Sequence, residues 1–311
     1  MMNIGIIGAN GFIGSHLVEF LSSNHSVKLI LFGNEPKTTK DFNGSYYCVK
    51  DLDSDKLNQI FSSIDLVYYL ASSSIPASTW QNPVVEIQNN LTNFLNFLES
   101  ISRSGVKKIA FVSSAGTIYG PSKVKLNEED VKHPFSPHGI IKLTMENFLS
   151  YYQKKYGLQY DIYRVSNVFG EGQNTKKGLG LINTFMEHIL KMQQVTVYGD
   201  GMHLRNYIYV KDVVRLMSIS LDSDIYKSNI WNVSSNNSFT INEVIEKIKD
   251  CIPEKFSVQY IEQRLSDNLH IDLDNSKILA DCPDFVFTDF NSAILNVYNH
   301  LRSDLSLSSG K

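Results

Sequence analysis

Residues 3–14 read NIGIIGANGFIG. After Asn3 the run to Ile7 is apolar, the whole is of strand length, and it stops at once on a glycine. Gly8, Gly11 and Gly14 then recur every third position, and a helical apolar period follows over about Ile13–Ser22. A glycine-rich turn from strand into helix lets the backbone approach a pyrophosphate closely, with the helix N-terminus facing the anion. One glycine triplet is weak on its own. Its place between a clear strand and a clear helix makes it a dinucleotide site.

Working outward, VKLILFG (27–33), DLVYYLAS (65–72) and KKIAFVSS (107–114) are further strands. The helical stretch VEIQNNLTNFLNFLESISRS (85–104) lies between the last two, and YDIYRVSNVFG (160–170) reads as another strand. Strands alternating with helices predict an α/β fold, a Rossmann-like doubly wound parallel sheet with right-handed crossovers. After Gly170 come glycine-rich loops, helix LINTFMEHILKM, strand QVTVYG, helix INEVIEKIKD and strand FSVQYI. These predict a smaller, interleaved α/β substrate domain at the carboxyl edge of the sheet. The expected division is a dinucleotide-binding domain over 1–168, with 205–233 returning to it. The substrate domain would cover 169–204 and 234–311.

The bulk numbers agree with this class. A chain of 311 residues allows about two domains of roughly 150 residues. Hydrophobic content of 42% and charged content of 20% are those of a globular protein. A net charge of -3 argues against nucleic acid as a partner. Cys48, Cys251 and Cys282 are scattered and show no metal-ligand spacing, which fits a reducing, cytoplasmic setting without a metal. The start lacks the pattern of a signal peptide, and no apolar run reaches ~18 residues, so no membrane association is expected. SDLSLSSGK at the end reads as a loose polar tail.

The end of the second strand bears on the choice of cofactor. An acid there would hold the ribose hydroxyls of NAD. Here the chain reads LFGNEPKTTK, and the slot falls near Phe32 or Gly33. Gly33 is expected to leave room for a 2′-phosphate, with Lys37 or Lys40 to meet its charge. NAD and NADP therefore both stay open, with Glu35 the nearest acid.

Near the middle, SPHGIIKLTMENFL (136–149) sets His138 and Lys142 four residues apart, on one face of a helix that Pro137 would open. Together with GANGFIG, YYLASSSIP, FVSSAGTIYG, RVSNVFGEGQ, VYGDGMHLRNYIYVKDV, WNVSSNNSFTINEV and RLSDNLHIDLDNSKI, this chain resembles the extended short-chain dehydrogenase/reductases. Within them it is similar to the NAD-dependent epimerase/dehydratase family that acts on nucleotide sugars, in particular its UDP-galactose 4-epimerase-like branch. The resemblance covers nearly the whole chain.

It implies that Gly8, Asn10, Gly11, Phe12, Ile13 and Gly14 form the pyrophosphate loop, and that Asp51, with Leu52 beside it, holds the adenine. Gly33 and Lys37 would lie near the ribose. Leu70, Ala71, Ser72 and Ser113 would wall the cofactor, with Asn90 buried near it. Lys142 matches the lysine of the family's Tyr-x-x-x-Lys pair and would hold the cofactor ribose. Asn167, Arg205 and Arg264 match groups on the substrate diphosphate, which suits the guanidinium fork. Tyr198 and Asp267 lie in matched segments. A homodimer is also implied, packed through helices around Asn90–Ser102 and Pro137–Tyr156. Their apolar positions Phe94, Phe97, Phe148 and Tyr152 could equally face their own sheet.

Two positions depart from the family. The tyrosine is His138, and the usual serine or threonine is Ala115. Ser114 is one residue off, and Thr117 is the expected substitute, since on an extended strand it shares a side with position 115. A phenol starts near pKa ~10 and an imidazole near ~6.5, so His138 needs no downward shift to act as base. Lys142 would disfavour imidazolium further. The other histidines, such as His16, His133 and His188, have no comparable partner in the sequence.

The expected activity is a nucleotide-sugar 4-epimerase, with catalytic His138, Lys142, Thr117 and Ser114. Alternatives are an NAD(P)H-dependent reductase of a nucleotide 4-keto-6-deoxy sugar, and a nucleotide-sugar-binding protein with a disabled centre. A 4,6-dehydratase needs a carboxyl pair where this chain has Ala115 and Gly116.

Overall fold

A computed structural model describes residues 1–35, 42–73, 82–122, 124–175, 180–222, 224–262 and 271–309. The chain divides into two compact units. The first comprises Met1–Ile118, Pro134–Arg164 and Val214–Trp231, and the second Tyr119–His133, Val165–Val213 and Asn232–Lys311.

The first unit is built on a seven-stranded sheet. Its strands are β1 (Met2–Ile7), β2 (Val27–Gly33), β3 (Gly44–Cys48), β4 (Leu66–Tyr69), β5 (Lys108–Ser114), β6 (Gln159–Val165) and β10 (Asn229–Val233), in the order β10-β6-β5-β4-β1-β2-β3. The pairs β1–β2, β1–β4, β2–β3 and β4–β5 are parallel. The chain winds outward from β1 to β3, then returns to the other side of β1 to lay down β4. The strand order therefore reverses at β1, and the crevice beyond its carboxyl end is where such sheets bind ligands.

One face of this sheet packs a core of Tyr69, Phe94, Leu98, Phe111, Ile141, Met145, Leu149 and Tyr152. Phe97 and Phe148 pack against the same core, so all four apolar positions proposed for a dimer contact face their own subunit. Exposed apolar side chains do remain on these helices, at Ile87, Ile140 and Tyr151.

The helix Pro137–Tyr156 follows from its sequence. The Ser136 hydroxyl caps it by accepting from the Gly139 amide at 3.1 Å, and Pro137 opens its first turn. Gly157, at φ 75°, closes it in the left-handed conformation, with Lys154 and Lys155 in the last turn.

The second unit holds β7 (Asn167–Phe169), β9 (Leu204–Tyr209) and β11 (Ser238–Thr240) in one small sheet, and β8 (Val195–Tyr198) paired with β12 (Val258–Ile261) in another. The stretch 160–170, read as one strand, is thus split at Ser166. Residues 119–133, 165–168, 205–213 and 232–233 fold with this unit, not with the first part as the sequence boundaries had it. The reason is hydrogen bonding. The Asn232 amide donates to the carbonyls of Leu126 and Asp274 and accepts from the Tyr119 hydroxyl, while its backbone N–H donates to Glu128.

The C-terminal residues also depart from expectation. The helix Phe290–Ser309 runs through most of SDLSLSSGK. A buried stripe of Ala293, Ile294, Val297 and Tyr298 anchors it, no glycine interrupts it before Gly310, and His300 and Asp304 lie 3.4 Å apart one turn on. No helix among the described residues is long and apolar enough to cross a membrane.

Candidate active site

The glycine loop follows β1 in the first unit. Gly8 sits at φ 89°, where a Cβ would lie 2.9 Å from the backbone nitrogen of Ala71. A Cβ on Gly14 would collide with the carbonyl oxygen of Gly8. Both glycines are therefore required by the loop itself. The helix Phe12–Ser22 starts directly behind it, with Gly11 at its N-cap, no side-chain cap and no acid in the first turn. Its leading N–H groups, at Phe12, Ile13 and Gly14, have no intrahelical partner and carry the positive end of the helix dipole. The loop and helix thus fit an anionic diphosphate.

Leu70, Ala71 and Ser72 follow β4 beside this loop, and Leu70 donates its N–H to the Ile7 carbonyl at 2.9 Å. Asn90 is buried in a π-helical turn, Ile87–Thr92. Its side-chain oxygen accepts the Ser73 N–H at 2.9 Å, and its amide donates to Glu86. Such turns recur at functional sites because they swing one side chain out of the α register. Asp51 is exposed at the end of a short 3-10 turn, and Leu52 packs against the core.

Gly33, at the end of β2, does not leave the room expected of it. The space a Cβ would take is filled by the Tyr46 hydroxyl, with the Asn10 amide nitrogen 3.2 Å away. Lys37 and Lys40 lie outside the described residues.

The helix Pro137–Tyr156 buries His138, Lys142 and Glu146, three polar side chains at i, i+4 and i+8 on one stripe. The Lys142 ammonium donates to the carbonyl of Val112 at 2.9 Å and lies 4.8 Å from the centre of the Phe111 ring. Burial pushes its pKa down to about 8, partly countered by the Glu146 carboxylate. His138 has no hydrogen-bond partner at Nδ1. Burial, and then the Lys142 charge, push its pKa down to about 3. The imidazole is thus neutral at pH 7, as the sequence implied. It is also a much weaker base than an exposed histidine, which the sequence did not show. Lys142 is the group of the pair that titrates near neutrality.

Glu146 was not singled out from the sequence, though its spacing after Lys142 was legible. It receives the Arg164 guanidinium at 2.8 Å and the Ser113 hydroxyl. The single Ser113 proton is spent there, so that side chain has none left to give a cofactor.

Residues 115–118 form a helical turn, not an extended strand. Thr117 therefore lies about 200° around the axis from Ala115 and does not share its side. It instead neighbours Ser114, whose carbonyl its hydroxyl approaches at 3.5 Å. The turn is pressed against the start of the long helix, and a Cβ on Gly139 would run into the Thr117 carbonyl. That contact brings the backbone next to His138 against the turn carrying Thr117.

In the second unit Asn167 opens β7, and its amide donates to the Asn206 carbonyl at 2.9 Å. Asn167 pairs with Tyr207 in the parallel β7–β9 ladder. Arg205, two residues before Tyr207, therefore points to the same face as Asn167. Tyr198 ends β8, and Arg264 and Asp267 lie outside the described residues. Among the described residues no cluster of metal-ligating side chains is present.

A UDP-glucose 4-epimerase of Thermotoga maritima, solved with UDP-glucose, superposes with a TM-score of 0.89 at 29% identity, over 98% of this chain and 100% of that one. A UDP-glucose 4-epimerase of Thermus thermophilus in complex with NAD gives 0.85 at 28%, over 97% and 99%. The dTDP-4-dehydro-6-deoxyglucose reductase of Escherichia coli is 27% identical over 288 residues, 89% of this chain and 90% of its own. The profile of the NAD dependent epimerase/dehydratase family matches residues 4–234. With that match spanning the glycine loop, the His138–Lys142 helix and the strand that carries Arg205, the chain belongs to the NAD dependent epimerase/dehydratase family.

Proposed function

We propose that the protein is a nucleotide-sugar 4-epimerase that works through NAD. The observation that carries this reading is the buried stripe of His138 and Lys142, whose Lys142 bonds to the end of β5 in the unit that holds the glycine loop. The UDP-sugar 4-epimerases similar to it support the same reading.

Gly8, Gly11, Phe12, Ile13 and Gly14 would hold the dinucleotide diphosphate, and Lys142 its nicotinamide ribose. Bound NAD supplies a reversible hydride acceptor for the sugar C4–H. Neutral His138 accepts a hydrogen bond from the C4 hydroxyl, with Thr117 and Ser114 as further hydroxyl partners. Lys142, whose amine form is accessible near pH 8, takes up and returns the proton that a weakly basic imidazole does not keep. Asn167 and Arg205 share one face of their sheet and would bind the substrate diphosphate, together with Arg264. The family resemblance extends substrate binding to Tyr198, at the end of β8, and to Asp267, which like Arg264 lies outside the described residues.

The E. coli reductase favours a second reading, net reduction of a nucleotide 4-keto-6-deoxy sugar. The test is to incubate the purified protein with UDP-glucose and UDP-N-acetylglucosamine, without added cofactor, and follow the C4 epimers by NMR. Formation of the epimer supports the first reading. No epimer, together with NADH consumption on a 4-keto sugar nucleotide, supports the second. We also propose a homodimer, through the exposed apolar side chains of the helices that carry Ile87, Ile140 and Tyr151, and a cytoplasmic location.

A further inference from the structure

The geometry points to Tyr46 as the residue that recognises the adenosine ribose and sets the preference for NAD over NADP, a role that rests on the cofactor reading above. The end of β2 carries no acid, since Gly33 stands at the slot. In its place a phenol arrives from the neighbouring strand. Leu31 and Tyr46 are ladder partners, and the Tyr46 ring reaches forward along β2 until its hydroxyl occupies the position a side chain on residue 33 would take. Any larger residue at 33 would displace that hydroxyl.

The hydrogen bonds around this phenol fix its polarity. Its one proton goes to the backbone carbonyl of Glu35, which can only accept. The Asn10 side chain must therefore present its NH₂, which donates to the Tyr46 oxygen at 2.9 Å. With its donor spent and one lone pair left, Tyr46 meets any further partner as an acceptor. That is the polarity of the carboxylate usually found there, without its charge. A ribose 2′-hydroxyl can donate to it. A 2′-phosphate is rich in acceptors and would face a lone pair in a space already filled. Asn10 belongs to the pyrophosphate loop, so the same side chain ties the ribose corner to the diphosphate cradle. Its Oδ1 has no partner, a second acceptor at this corner. Glu35 itself is engaged at its side chain by Lys50 at 2.9 Å and contributes through its backbone.

The test is equilibrium titration of nucleotide-stripped protein with NADH and with NADPH, read by nicotinamide fluorescence. The wild type is expected to bind NADH at least ~10-fold more tightly. Tyr46→Phe keeps the ring and removes the acceptor, so NADH affinity should fall ~5-fold, the worth of one neutral hydrogen bond, with no loss of NADPH affinity. Gly33→Ala reaches the same corner from the other side. It pushes the phenol away without deleting it and should narrow the ratio by a similar factor. If neither variant changes the ratio, Tyr46 is not the selector and the NAD reading stands. If the wild type prefers NADPH, Tyr46 is not an NAD selector and the choice of NAD falls with it, while the dinucleotide site remains. If neither dinucleotide binds, the cofactor reading itself fails, and this inference with it.

Discussion

His138 stands where the family resemblance puts a tyrosine, and its surroundings decide what it can do. Because its folded pKa lies near 3 and its ordinary value is 6.5, the unfolded chain takes up the proton first as pH falls. Stability present above pH 6.5 is then lost toward pH 3, at up to about 1.4 kcal/mol per pH unit. His138→Phe should flatten this acid limb in urea denaturation at pH 5, 6 and 7, and should abolish epimerisation while leaving dinucleotide binding intact. Lys142 has the opposite balance. Its buried ammonium costs stability below about pH 8, and the cost fades toward 10.5 as the unfolded chain also becomes neutral. Lys142→Met should therefore gain about 2 kcal/mol at pH 7 and lose dinucleotide affinity. A more stable but inactive variant is the expected signature of a residue retained for chemistry.

Single elements are coupled at two points. Glu146 of the long helix, Arg164 of β6 and Ser113 of β5 form a buried polar junction. Arg164→Leu strands the Glu146 carboxylate without its cation. A loss of about 3–5 kcal/mol is expected in chemical denaturation, since removing one partner leaves an uncompensated buried charge. Gly139 is the second point. Alanine there gains about 1 kcal/mol of helix propensity, against about 1–3 kcal/mol for driving a methyl into a backbone carbonyl that no rotamer change relieves. Gly139→Ala should lower Tm and lower turnover together, because the Thr117 turn must move. These couplings explain what the sequence could and could not show. The His138–Lys142 pair was legible because a helix turns spacing into a shared face; Glu146, one turn further on, was missed. The helical turn at 115–118 was not legible, because Ser113, Ser114 and Gly116 mark the end of β5 without showing whether the residues after it coil or stay extended. Tyr46 was invisible for another reason: its meaning depends on β3 lying beside β2, a pairing that leaves no local mark.

At the scale of the whole molecule, the doubly wound sheet was readable from alternating periods, while the switch point at β1 came only with the strand order. The division into units was not readable, since Tyr119, Glu128 and Asn232 are joined by hydrogen bonds over long sequence separations. Oligomeric state belongs to this scale too. Phe94 and Tyr152 are buried within the subunit, and Ile87, Ile140, Tyr151 and Tyr156 are among the exposed apolar side chains of these helices. Sedimentation equilibrium at micromolar concentration should give a species of twice the 35.2 kDa chain mass. Ile140→Glu should return it to the monomer without loss of helix content by circular dichroism.

The π turn at Ile87–Thr92 carries a last consequence. It is in effect a helix with one residue too many, and that surplus is what turns Asn90 inward toward Ser73. Removing a single residue such as Asn89 would let the helix close into a smoother α-form. The shortened protein would be tidier in its backbone and would point a different side chain at the strand end after β4. Regularity and function pull against each other at this turn, so a designer who repaired the irregularity would erase the feature that gives Asn90 its place.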